Sequence, residues 1–207
     1  KMVDGAELMT ADGAAANTEK HVAQLRQKGV LKKGNRTDIA NEVFESDTGE
    51  LLLDAGQRSF TINTPRSQGA CLPAGPFKVS VGEIEVENNG ACLSLLLASL
   101  SEAPIATSKR LLLILSGNAL NSDMTFKDAS MKTLVDIGKG PVLARVLDVN
   151  LRVRLSDPGK WCIWALAQNG QRVEKLPVEA NAWQLLLKLS TGKLRQGPTM
   201  YFELVKE

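Results

Sequence analysis

Short runs in which apolar and polar residues alternate recur along most of this chain, each bounded by glycine, proline, asparagine or aspartate. The clearest lies in residues 46–69. Leu51, Leu52 and Leu53 form an apolar run, Asp54-Ala55-Gly56-Gln57 carries turn chemistry, and residues 59–64 place Phe60 and Ile62 on one face. That period of two predicts a hairpin with a half-buried second strand. Pro65 has no amide to give to a ladder and closes it, while Asp47-Thr48-Gly49 turns the chain into the first strand.

Further strands are expected over 77–81, 84–87, 92–98, 110–115, 142–146, 149–155, 160–167, 182–188 and 200–205. Asn88-Asn89-Gly90 and Asn169-Gly170 are tight-turn signals that favour hairpins, and Ser156-Asp157-Pro158-Gly159 has turn composition. Many short strands with such punctuation predict a mainly β chain, an antiparallel β-sandwich. Residues 1–45 differ. An alanine-rich stretch (6–16) leads into an amphipathic helix over 18–28, which Gly29 closes, and 36–44 reads as a short helical or extended piece. The chain therefore divides into a helical or irregular lead-in (1–45) and a β-sandwich domain (46–207).

Composition narrows the function classes. The net charge of +2, from 25 basic and 23 acidic side chains, gives no footprint for nucleic acid or an anionic membrane. No apolar run approaches the roughly 20 residues of a membrane helix. No signal peptide is visible, although Lys1-Met2 is not expected to be a natural start. Three scattered cysteines (Cys71, Cys92, Cys162) and one histidine (His21) give no metal-ligand spacing, so no metal or other cofactor is expected. The thiols are read as buried and free, with one disulfide and one spare thiol as the alternative. His21 is expected on an exposed helix face, without catalytic work.

The remaining chemistry lies in carboxylates and aromatics. Glu83, Glu85 and Glu87 share one strand face and read as a solvated outer surface rather than a converging catalytic pair. Asp123, Asp128 and Asp136 fit no EF-hand spacing and read as turn and cap residues. Gly138-Lys139-Gly140-Pro141 is not followed by a helical pattern and reads as a loop. Of nine aromatics (five Phe, three Trp, one Tyr), Trp161, Trp164, Trp183 and Tyr201 are the candidates for stacking on a sugar ring. Trp161 and Trp164, three apart in one strand, must face opposite ways, one to the core and one outward.

Two segments carry a resemblance. Residues 46–50 (SDTGE) with 60–69 (FTINTPRSQG) resemble a signature, "SDTGE…WD…G.FTVDTPRTQ…G", of the β-sandwich region that follows the cellulase-like (β/α)8 barrel in certain bacterial glycoside hydrolases. Residues 98–113, with Gly117-Asn118 and residues 138–142, are similar to segments further along that region, so that the match extends over residues 46 to about 205. Leu53 stands where that signature has tryptophan, and Cys71 where a glycine-containing turn is usual. The resemblance implies a non-catalytic accessory domain of a secreted enzyme of polysaccharide degradation, extracellular or periplasmic, with the catalytic barrel of the same polypeptide as partner and glycan as a further contact. It implies structural roles for Asp47, Thr48, Gly49, Thr64, Pro65, Arg66 and Gln68. It carries over no catalytic residue, because the acid and nucleophile of such enzymes sit on the barrel, a unit of about 250 residues. A free-standing carbohydrate-binding module and a small carboxylate-dependent hydrolase are the alternatives.

Overall fold

A computed structural model describes residues 14–88 and 90–207, with side chains from Thr18 onward. The greater part of the alanine-rich stretch, and Asn89 of the Asn-Asn-Gly turn, lie outside the described residues. The chain forms two compact units, Lys1–Thr64 and Pro65–Glu207. Residues 46–64, which hold the predicted hairpin, fall in the first of these units.

In the first unit, α1 (Ala14–Gln27) ends at Gly29, whose φ of 69° is the left-handed conformation that stops helices. β1 (Val43–Glu45), β2 (Leu51–Asp54) and β3 (Ser59–Asn63) form an antiparallel meander. Its register sets Phe44 opposite Leu53, Leu53 opposite Phe60 and Leu51 opposite Ile62. Directly paired residues share a face, so these five apolar side chains lie on one side of the sheet. His21 is half-buried rather than exposed, and its Nδ1 lies out of contact with solvent.

The second unit is the antiparallel β-sandwich. Its strands are β4 (Ser67–Leu72), β5 (Phe77–Val81), β6 (Ile84–Asn88), β7 (Leu93–Ser99), β8 (Arg110–Ser116), β9 (Ala119–Ser122), β10 (Thr125–Phe126), β11 (Leu134–Asp136), β12 (Lys139–Ala144), β13 (Asp148–Arg154), β14 (Trp161–Leu166), β15 (Arg172–Leu176), β16 (Glu179–Ala180), β17 (Gln184–Ser190) and β18 (Tyr201–Lys206). One layer runs β4-β7-β8-β18-β14-β15 and the other β16-β17-β13-β6-β5. Alternate residues of each strand fill the space between them: Leu111, Leu113 and Leu115 from β8 meet a core that includes Val149, Leu151 and Val153 from β13. An arm of two short ribbons, β9–β12 and β10–β11, leaves the sandwich between β8 and β13.

Two local expectations change. The loop expected at Gly138-Lys139-Gly140-Pro141 instead opens β12, which pairs with β9 through a register shift between Lys139 and Val142. Such a bulge absorbs a proline that cannot donate to the ladder. The segment around Asn88 closes no hairpin: β6 and β7 belong to opposite layers, and the Asn88 side chain donates to the Ala91 carbonyl at 2.8 Å as the chain crosses between them. By contrast Asn169-Gly170 does turn β14 into β15, with Gly170 at φ 82°.

Candidate functional site

Glu83, Glu85, Glu87 and Glu203 are held in ion pairs. Glu85 and Glu87 face outward from β6. Lys78 approaches them at 3.2 and 3.4 Å, and Arg152 bonds both, the Glu87 contact at 2.9 Å. Hydrogen bonding, led by Lys78 for Glu85 and by Arg152 for Glu87, holds both carboxyls below their ordinary value. Arg154 pairs with Glu83 at 3.3 Å. On the outer face of the opposite layer, Glu203 of β18 is buried between Arg110 and Arg172, the latter at 2.6 Å. Burial pushes the Glu203 carboxyl up, but the hydrogen bonds from Arg172 and Arg110 outweigh it and leave it below the ordinary value. These carboxylates sit on opposite outsides of the sandwich, in the ionised state, which is unlike a raised acid facing a base across a groove.

The other polar candidates have local work. The Asp128 carboxylate accepts from the Ser130 amide at 2.9 Å and Asp136 from the Gly138 amide at 2.8 Å. Among the described residues no three His, Cys, Asp or Glu side chains come together as a metal site. All three thiols are free, and only Cys162 is buried, where loss of solvation pushes its thiol up.

The signature residues occupy turns and strand ends. Asp47 accepts from the Thr48 amide at 2.9 Å, and Gly49 takes the φ of 78° that its turn needs. Thr64 follows β3. The Pro65 carbonyl accepts from the Ile105 amide at 2.8 Å, and Arg66 reaches Glu102 at 3.0 Å. Gln68 is buried, and its Oε1 accepts from the Glu83 amide at 2.7 Å, tying β4 to the β5–β6 turn of the opposite layer.

The four aromatics do not form one platform. Trp161 faces the core at 6% exposure, its indole N–H donating to the Ser156 carbonyl at 3.0 Å, so its ring offers no face to a ligand. Trp164 points outward, with the Arg172 guanidinium and the Lys175 ammonium 5.5 and 5.8 Å from its ring centroid. Both cations compete for the ring face a sugar would need. Trp183, 79% exposed, precedes β17, whereas Tyr201 lies by Thr191 at the other end of that strand. Eight residues of extended chain, about 26 Å, separate the two ends of β17.

Tyr201 lines a cleft of about 500 Å³ at this end of the sandwich. One wall is the arm, through Val142, Leu143 and Val146. The other is made by residues 198–201, and Leu115, Thr191 and Gly192 lie between. Thr191 fixes the floor, taking the Leu147 amide on its hydroxyl at 2.9 Å, and the Thr199 hydroxyl donates to the Leu166 carbonyl at 2.6 Å. Gly192 is required here, since a Cβ would lie 2.6 Å from a Val146 methyl. The lining has one charged residue, Arg145, and no carboxylate. Sequence reading found only Tyr201 of this set, because residues from five separate segments carry no joint signal along the chain.

A second exposed feature is the apolar face of the first unit, where Phe44, Leu51 and Leu53 are 39, 41 and 42% exposed. No helix among the described residues is long and apolar enough to cross a membrane. No protein-family model, curated protein or solved structure matches the chain.

Proposed function

We propose that this chain is a non-catalytic β-sandwich accessory domain of a carbohydrate-active enzyme, docked on the (β/α)8 catalytic barrel of the same polypeptide. The observation that carries this reading is the apolar face of the β1–β2–β3 meander, where Phe44, Leu51 and Leu53 stand together and exposed on one side. A contiguous apolar face of this kind marks a docking surface. Leu53, at the position where the resembled signature has tryptophan, lies on that face, which makes it the side that would meet a barrel. The ionised, paired state of Glu85, Glu87 and Glu203 supports a supporting rather than a catalytic role. An extracellular or periplasmic setting belongs to the same reading. Glycan contact, as an accessory role or in a free-standing module, is favoured by the exposed Trp183 ring.

The purified chain, assayed on a panel of polysaccharides and chromogenic glycosides, is expected to give no turnover above the blank. Turnover that disappears when one Asp or Glu is replaced by its amide would overturn the reading in favour of a carboxylate-dependent hydrolase.

A further inference from the structure

We propose that the cleft between the arm and residues 198–201 binds an amphipathic organic anion, its apolar body between the aliphatic walls and its carboxylate on Arg145. The inference is independent of docking on a barrel. The cleft volume, about 500 Å³, is in the range of small-molecule sites. Its walls are aliphatic, and Val142, Leu143 and Val146 stand 64, 57 and 51% exposed along it. Apolar side chains left in water around a concave surface gain most from an apolar occupant.

Charge selects the other end of the ligand. Arg145 is the single charged residue of the lining, and no carboxylate shares the cleft with it. Arg66, Arg110, Arg152, Arg154 and Arg172 each hold a glutamate, whereas no ion pair or side-chain hydrogen bond is formed by Arg145 among the described residues. Its backbone is anchored, with the amide donating to the Asn118 carbonyl at 2.8 Å. A planar guanidinium beside an apolar cleft matches a carboxylate carried on a hydrocarbon body. A neutral oligosaccharide fits less well, since Tyr201 is the only aromatic in the lining.

The test is an amide-resolved NMR titration of the whole chain with octanoate, 1-octanol, octylammonium and a neutral cello-oligosaccharide. Octanoate is expected to shift the amides of Gly117, Arg145 and Gly192 and to bind more tightly than octanol or octylammonium. Arg145→Gln should weaken octanoate at least about tenfold and leave octanol unchanged, as loss of a charge-assisted hydrogen bond requires. Val142→Asp, on an exposed wall, should weaken octanoate and strengthen octylammonium. The proposal is overturned if octanoate does not shift these amides, if octanol binds equally well, if Arg145→Gln leaves octanoate affinity unchanged, or if the oligosaccharide is the probe that moves them.

Discussion

Replacing Gly69 by alanine is expected to destabilise the sandwich by about 3 kcal/mol, the upper end of what forced overpacking costs. Gly69 sits in β4, opposite Leu96 of β7. A Cβ there would lie 2.4 Å from the Leu95 carbonyl oxygen and 3.3 Å from the Leu96 Cα. Both obstacles are backbone of a paired central strand, so relief requires β4 and β7 to separate. For a chain of this size the melting temperature should fall by roughly 6–12 °C. Thermal unfolding followed by circular dichroism measures it, and an unchanged transition would contradict the close β4–β7 approach.

The second large effect is at Glu203. Glu203→Gln keeps the shape but leaves a single acceptor oxygen for the two arginines, so that one hydrogen bond loses its anionic partner and the other, with an NH2 facing a guanidinium, is lost. The loss should be about 2 kcal/mol at neutral pH. The acid dependence gives a more specific signature. Because the folded carboxyl titrates below its ordinary 4.5, its contribution is present above that pH and disappears as the pH falls through the lower folded value. Denaturant midpoints of the two proteins should therefore differ at pH 7 and converge in the acid range below about 4.5. A constant difference down to the acid range would mean that Glu203 acts through packing instead of charge.

What could be read from the chain follows from where its information is local. β5 and β6 alternate apolar and polar residues, and both were legible in place. β4 was not, because Ser67-Gln68-Gly69-Ala70 has no alternation and no β-branched side chain. It is a strand because β7 pairs with it along its whole length. β15, with Arg172, Glu174 and Lys175, gave too little apolar signal, although its turn was legible. The opposed facing of Trp161 and Trp164 followed from strand geometry alone. Which aromatics converge did not, since Trp183 and Tyr201 are placed by strand order and length. Arg145 was not legible for the same reason: that no ion pair forms at it among the described residues, and that no carboxylate lines its cleft, is a matter of space that no spacing along a chain reports.

The intact mass of the polypeptide as its source cell makes it, by immunoblot with an antibody to this chain and mass spectrometry of the captured band, tests the central claim most directly. The accessory-domain account predicts a species heavier than 22.3 kDa by at least a barrel of about 250 residues. A single species at 22.3 kDa would contradict it.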